Sequence, residues 1–211
     1  MIKNIIFDIG DVLVKSNYHE FFLKKGLDEE TAVRMEKATF FTPVWKIFDK
    51  GVWSFEEIIN AFVKNAPLLE THLRSVFEDM EGFIKVFPYT EELILEMKKK
   101  DLRVYCLSNI SEKICIDCQK DMEFLKLTDG YVLSYQEKLI KPDAAIFRLI
   151  LDRYNLSADE CIFIDDIEEN VNAAKKIGIH GIVFKDRKQA ESEIEDIQRR
   201  IWNEEHWCME K

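Results

Sequence analysis

Polar, reactive side chains directly follow apolar runs at three places in this 211-residue sequence. Asp8 follows "NIIF", Ser108 and Asn109 end "RVYCLSN", and Asp165 and Asp166 follow "CIFI". Such short, continuously apolar runs predict strands that are buried on both faces. Ligands of open α/β sheets bind outside the carboxyl ends of the strands, so we expect these side chains to share one crevice.

A lysine, Lys141 in "KLIKPD", completes this set of reactive groups. Two acidic strand ends, a hydroxyl and a lysine have the chemistry to hold a dianion together with a divalent cation. The adjacent acids Asp165 and Asp166 are the strongest signal, because they would repel each other without a cation. Taken singly, each group has an ordinary alternative as a turn cap, a loop residue or a solvated charge. Their combination in this order predicts a site.

Composition and charge narrow the class of protein. Hydrophobic residues at 47% and charged residues at 33% are typical of a soluble globular protein. The net charge of -10 argues against a nucleic-acid or anionic-membrane surface. The apolar start is brief and interrupted by Asp8, unlike a signal peptide. We expect a cytoplasmic monomer or homodimer that has neither nucleic acid nor a membrane as a partner.

The order of the elements predicts an α/β fold. Strand patterns recur in "IKNIIFDI", "RVYCLSN", "GYVLS", "CIFIDD" and "GIVF", with helical patterns in "TEELILEMKKKD", "PDAAIFRLILDRYN" and "EENVNAAKKIGI". Gly178 stands where the last of these helices would end. Strands that alternate with helices predict a parallel sheet flanked by helices on both sides.

Residues 15–87 interrupt this alternation with helical patterns alone. Ser54 and Glu57 resemble a capping box at the start of one of these helices. We therefore predict an α/β core formed by residues 1–14 and 88–211, with a small inserted all-helical cap at residues 15–87.

Two groups of aromatic residues have predicted structural roles. The stretch "TPVWKIFDKGVWSFEE" is interpreted as the packing core of the cap rather than a pocket wall, since aromatic residues at helical spacing are mostly buried; its rings are Trp45, Phe48, Trp53 and Phe55. The charged stretch from Asp186 onwards is predicted to be helical and docked by Trp202 and Trp207.

Four stretches together resemble the haloacid dehalogenase (HAD) superfamily of phosphatases and related hydrolases: "FDIGDVLV", "CLSN", "KLIKPDAAIF" and "FIDDIEENVNAAKKIGI". They occur in the family's order and approximate spacing and span essentially the whole chain. The "D-x-G-x-V" opening and the helical insert resemble the branch of bacterial sugar-1-phosphate phosphatases, such as α-D-glucose-1-phosphate phosphatase. The resemblance implies a Rossmann-like core with a helical cap.

The resemblance also implies a phosphatase mechanism. Asp8 would attack phosphorus and form an aspartyl-phosphate that water then hydrolyses. Ser108 and the backbone N–H of Asn109 would hold phosphate oxygens. Lys141 would neutralise charge on both the phosphate and the nucleophile.

The same resemblance implies a Mg²⁺ cofactor. Its ligands would be the Asp8 carboxylate, the backbone carbonyl of Gly10 and Asp166, with Asp165 supporting and water completing the octahedron.

The sequence departs from the family pattern at Gly10, where most of these phosphatases carry a second Asp as general acid and base. Asp11 follows one place later, but in an extended chain residues 8 and 10 share a face and residue 11 points away. We expect Asp11 to be a loop-capping or surface acid. General acid help contributes roughly 10²–10⁴-fold, so its absence predicts a bias towards anomeric sugar phosphates, whose leaving oxygen is less basic.

Two alternatives remain open at this point. A 2-haloacid dehalogenase also uses an Asp nucleophile and lacks the second Asp, but it needs no metal, which the pair Asp165 and Asp166 argues against. A catalytically weak phosphate-binding or regulatory module is favoured by Gly10 and opposed by the presence of every other element of the site.

Overall fold

The computed structural model describes the backbone of residues 1–207 and the side chains of residues 1–204. Its strands, in chain order, are β1 (Asn4–Phe7), β2 (Val14–Ser16), β3 (Ile84–Val86), β4 (Arg103–Ser108), β5 (Gly130–Leu133), β6 (Cys161–Asp165) and β7 (His180–Val183). Five of them form a parallel sheet in the order β5-β4-β1-β6-β7. All five predicted strands are confirmed.

Helices cover the sheet and fill the segment between β2 and β3. That segment holds α1 (Tyr18–Lys24), α2 (Glu29–Ala38), α3 (Pro43–Lys50), α4 (Phe55–Asn65) and α5 (Glu70–Glu78). The rest of the chain adds α6 (Thr90–Lys99), α7 (Glu112–Asp117), α8 (Ser134–Glu137), α9 (Ala144–Tyr154), α10 (Glu168–Lys176) and α11 (Arg187–Trp207). Within residues 1–207, none of these helices combines the length and the apolar character needed to cross a bilayer.

The strand order creates a crevice at the centre of the sheet. β1 pairs with β4 on one side and with β6 on the other, so the connections diverge at the carboxyl end of β1. Such a switch point is where open α/β sheets bind ligands. Asp8 follows β1, while Ser108 and Asp165 are the last residues of β4 and β6. The polar strand ends therefore meet at this crevice, as the sequence predicts.

A short antiparallel ribbon joins the helical insert to the core. β2 pairs with β3, with Val14 opposite Val86. The expectation of an all-helical segment over residues 15–87 was wrong here, because strands of three residues carry too little pattern to be recognised. The predicted boundaries of the cap fall on this ribbon, and the division into two domains stays a prediction.

Local signals within the insert are clearer. Ser54 Oγ accepts a hydrogen bond from the Glu57 backbone N–H, and the Glu57 carboxylate accepts one from the Ser54 N–H, which confirms the capping box. In the core, Gly178 adopts φ +93 just after α10 and confirms the predicted end of that helix. A side chain is disfavoured at that φ, which explains a glycine at this position.

Hydrophobic residues pack on both faces of the sheet, since successive residues of β1 point to opposite sides. Ile5 and Phe7 belong to a cluster that continues into the helical insert through Phe22 and Phe62. Ile6 belongs to a second cluster on the opposite face, with Tyr105, Phe147 and Phe163. The shared cluster holds the insert against one face of the core.

The aromatic predictions are confirmed only in part. Phe48 is 6% exposed and lies in the packing core, whereas Trp53 and Phe55 are 43% and 39% exposed, so the interpretation was wrong for those two rings. Helix α11 confirms the helical prediction but docks through buried Ala190 and Ile194, while Trp202 is 51% exposed. The side chain of Trp207 lies outside the described residues.

A close approach at Gly130 offers a test of this packing. A Cβ at Gly130 would lie 2.3 Å from Cζ of Tyr154, whose hydroxyl donates to the Tyr131 carbonyl and accepts from its N–H. We expect Gly130→Ala to lower the free energy of unfolding by about 1–3 kcal/mol, as overpacking does, measured by urea denaturation. In a Tyr154→Ala background the cost should shrink; an equal cost in both backgrounds would contradict the steric explanation.

Candidate active site

A buried lysine bridges two buried carboxylates at the centre of the crevice. Lys141 Nζ lies 2.7 Å from Asp8 Oδ1 and 2.7 Å from Asp165 Oδ2. All three residues are at most 6% exposed. Burying charges is costly unless they are paired, so this arrangement is held by mutual attraction. The structure brings together three of the residues that the sequence singles out.

Lys141 is positioned by the side chain of Asn109. Asn109 Nδ2 donates to the Lys141 carbonyl at 2.9 Å, and the Lys141 N–H donates to Asn109 Oδ1 at 2.8 Å. The sequence predicts a role only for the backbone N–H of Asn109. The reciprocal side-chain contact joins loops 32 residues apart, and no local pattern signals it.

Asp165 is held by several donors besides Lys141. Its Oδ1 accepts from the Ile167 N–H at 2.8 Å, and Asn170 Nδ2 lies 3.1 Å from both carboxylate oxygens. Asn170 was missed in the sequence, although it stands on the buried face of α10 beside Val171 and Ala174. Since its oxygens already have these partners, Asp165 suits the supporting role that the resemblance implies.

The site carries an excess of negative charge. Burial raises the pKa of Asp8, opposed by the Lys141 ammonium and reinforced by Asp165 and Asp166. Partial burial of its carboxyl group also raises the pKa of Asp166 to about 6, with further contributions from Asp165 and Asp11. Burial lowers the pKa of Lys141, but the neighbouring Asp8 and Asp165 outweigh it and raise the value overall. Several carboxylates facing one ammonium leave room for a cation.

The donor set fits such a cation. Asp8, Asp165 and Asp166 each offer a carboxylate oxygen, and these oxygens lie within 4.8 Å of one another. Gly10 lines the same cavity as Asp8 and Asp166. Oxygen ligands from carboxylates and a backbone carbonyl are those that Mg²⁺ prefers.

A cavity of about 540 Å³ lies above this group. It is lined by the remaining predicted site residues, which are Gly10, Ser108, Asn109 and Asp166, together with Asp8 and Lys141. Within residues 1–204 the Ser108 hydroxyl makes no hydrogen bond to protein, so it can serve a bound molecule. The outer wall is aromatic and includes Trp45, Phe40 and Tyr18, so Trp45 lines the pocket as well as packing in the insert.

The turn after β1 gives Asp11 a structural role. Asp11 adopts φ +51, its N–H donates to the Val14 carbonyl at 2.7 Å, and its Oδ1 accepts from the Ser16 N–H at 3.1 Å. The expectation that Asp11 caps the loop is confirmed. At Gly10 a Cβ would meet nothing nearer than Ser16 Oγ at 3.9 Å, so the missing side chain is not required by space.

Comparisons with known proteins point to a family of hydrolases. A family model for haloacid dehalogenase-like hydrolases matches residues 2–178. The chain is 25% identical to a sesquiterpene phosphatase of Aspergillus oryzae over 87% of this chain and 90% of that protein. It is 27% identical to D-ribitol-5-phosphate phosphatase of Bacteroides thetaiotaomicron over 84% of this chain and 89% of that protein.

A solved structure shows the same fold. It is a HAD family enzyme from Bacteroides thetaiotaomicron in complex with magnesium and inorganic phosphate, with a TM-score of 0.65 at 22% identity. The match covers 88% of this chain and 95% of that chain. Other relatives are longer, and the chain spans 37% and 19% of the length of two of them.

Proposed function

The chain belongs to the haloacid dehalogenase-like hydrolase family, and on that premise we propose that it is a Mg²⁺-dependent phosphatase of a small phosphorylated metabolite, such as a sugar phosphate. The observation that supports this most directly is the Lys141 ammonium, which is buried between Asp8 and Asp165. The adjoining cavity is also lined by Asp166, the third carboxylate of this cluster. A lone carboxylate repels a phosphate dianion; one beside a buried lysine and a cation does not. Phosphatases among the relatives support the proposal.

Asp8 acts as the nucleophile in this proposal. Its Oδ1 is engaged by Lys141 Nζ and lies 2.6 Å from the Ile9 N–H, while among the described residues Oδ2 has no hydrogen-bond donor. Oδ2 attacks phosphorus, the bond to the leaving oxygen breaks, and an aspartyl-phosphate forms. Water then attacks phosphorus and restores the Asp8 carboxylate. Ser108 and the Asn109 N–H hold phosphate oxygens during both steps.

The metal belongs beside the nucleophile. Asp8, the Gly10 carbonyl and Asp166 would hold Mg²⁺, while Asp165 fixes Lys141 and the loop before α10. A cation held there would lower the negative charge that the phosphate meets. The protein works as a monomer or homodimer in the cytoplasm, with neither nucleic acid nor membrane as a partner.

Phosphate release from a panel of esters tests the function. The panel contains glucose 1-phosphate, glucose 6-phosphate, glycerol phosphate and p-nitrophenyl phosphate, each with Mg²⁺ and with EDTA. We expect turnover that EDTA abolishes and added Mg²⁺ restores, because the carboxylates otherwise repel the substrate. Faster release from glucose 1-phosphate than from glycerol phosphate is the result expected if Gly10 leaves the site without an acid.

Two outcomes would contradict the proposal. Halide release from a 2-haloacid in EDTA would indicate a dehalogenase. Binding of Mg²⁺ and inorganic phosphate without turnover of any ester would indicate a phosphate-binding module.

A further inference from the structure

We propose that Asp49, at the end of α3 in the helical insert, is the general acid and base that position 10 does not provide. The inference rests on the proposed phosphatase function and assigns the proton transfers of that reaction. It concerns a residue 41 positions after Asp8 (49 − 8), on a different element.

Asp49 lies at the cavity of the reacting groups and within electrostatic reach of Asp8 and Lys141. It lines the same cavity as Asp8, Ser108 and Lys141. Among the side chains that the structure describes, none donates a hydrogen bond to its carboxyl group. An acid that lines a cavity without a structural hydrogen-bond partner is free to serve a bound molecule.

The backbone of Asp49 is anchored to the core beside the phosphate site. Ser134 Oγ, at the start of α8, donates to the Asp49 carbonyl at 2.6 Å. The same Oγ accepts from the N–H of Ile110, the residue after Asn109, at 2.9 Å. Ser134 therefore links the end of α3, which bears Asp49, to the loop that contains Asn109.

A second contact fixes the turn that follows. Lys138 donates to the Gly51 carbonyl, and Gly51 adopts φ +65 with an ideal Cβ position 3.1 Å from Tyr135 Cα. Only glycine allows this approach without displacement. These contacts fix the end of α3 against α8.

The electrostatic environment suits a proton donor. Burial and then the charge of Asp8 raise the pKa of Asp49 to about 8, although Lys141 opposes them. A carboxyl group of this kind carries its proton near neutral pH and can give it away. The pKa of Tyr18, which lines the same cavity, is raised to about 12 by burial, so it is a much weaker acid. The Asp11 carboxylate already accepts a hydrogen bond from the Ser16 N–H within its own loop.

The proton balance of the reaction follows directly. As Asp8 Oδ2 bonds to phosphorus, the bond from phosphorus to the leaving oxygen breaks and that oxygen takes the proton of Asp49. Water then bonds to phosphorus, the bond to Asp8 breaks, and the Asp49 carboxylate takes the proton of the water. The ester and one water become an alcohol and inorganic phosphate, and Asp49 ends as it began.

This assignment changes the expected substrate range. The bias towards anomeric phosphates, deduced from Gly10, belongs to a site without an acid. With Asp49 in place, esters of basic alcohols are also substrates, and the bias appears only when Asp49 is removed.

The test compares kcat/KM of wild type and Asp49→Asn on glycerol phosphate and p-nitrophenyl phosphate, with Mg²⁺. The parameter kcat/KM reports the first phosphoryl transfer, where leaving-group protonation counts. We expect a loss of about 10²-fold or more on glycerol phosphate and a several-fold smaller loss on p-nitrophenyl phosphate, whose leaving group needs no proton. A burst of p-nitrophenolate close to one equivalent should precede slow turnover in Asp49→Asn, as the aspartyl-phosphate accumulates without its base.

Asp11→Asn is the matched control, a second cavity carboxylate changed in the same way. Its losses should be small and equal for both esters. A uniform loss for both esters in Asp49→Asn, or a leaving-group-dependent loss in Asp11→Asn instead, would overturn the assignment. Wild-type protein that releases no phosphate from either ester would overturn the proposed function itself, which separates the two failures.

Discussion

Asp8→Asn should lower kcat/KM for every phosphate ester by at least about 10³-fold, the scale of losing a nucleophile. Asparagine keeps the shape of the side chain and its contact with Lys141, whose Nζ lies 2.7 Å from Asp8 Oδ1. It cannot form the acyl-phosphate. Phosphate release with Mg²⁺ measures the loss, and acid quenching with labelled substrate should trap phosphoprotein in wild type and none in the variant.

A matched variant separates chemistry from folding. Asp79 is an exposed acid paired with Lys25 outside the cavity, so Asp79→Asn should keep wild-type activity. Circular dichroism should show that Asp8→Asn remains folded. Labelled phosphoprotein in Asp8→Asn would place the nucleophile elsewhere.

Lys141→Met should destabilise the fold as well as abolish turnover. Methionine fills the space, but Asp8 and Asp165 lose the cation that lies 2.7 Å from each. Removing one partner of a buried ion pair costs about 3–5 kcal/mol, because a charge stays buried without compensation. Urea denaturation without metal measures this loss, and added Mg²⁺ should recover part of it by pairing with the carboxylates.

The loss should depend on pH in a defined direction. The pKa of Asp8 is already raised by burial, and removing Lys141 takes away the main influence that lowers it. A carboxyl group with a folded-state pKa above its unfolded value of about 3.9 destabilises the fold increasingly as pH rises between the two values. Lys141→Met should therefore be closer to wild type in stability at pH 5 than at pH 8.

An exposed lysine provides the comparison. Lys126 pairs with Glu123 at the surface, and Lys126→Met should change stability by less than about 0.5 kcal/mol at both pH values. An equal loss for Lys141→Met at pH 5 and pH 8 would show that packing, rather than uncompensated charge, is responsible.

Much of the fold could be predicted because its signals are local. The apolar runs that became β1, β4, β5, β6 and β7 needed no partner to be recognised, and the Ser54–Glu57 capping box is written within four residues. The three-residue strands β2 and β3 were not predicted, because their pairing joins residues about 70 positions apart.

The sequence by itself determined which side chains end the central strands. The type and order of Asp8, Ser108, Lys141 and the pair Asp165–Asp166 therefore define the candidate chemistry. The strand patterns place Asp8, Ser108 and the pair Asp165–Asp166 at carboxyl ends, and parallel pairing makes those ends meet. No knowledge of the cap was needed for this part.

Only the tertiary structure decided how those groups are held and which acid faces them. The clamp between Asn109 and Lys141 joins residues 32 apart, and the anchor from Ser134 to Asp49 joins residues 85 apart. Such contacts depend on how whole elements pack, which local periodicity does not encode. Gly10 thus shows in the sequence that an acid is missing, while the packing of α3 on α8 brings Asp49 to the cavity that Asp8 also lines.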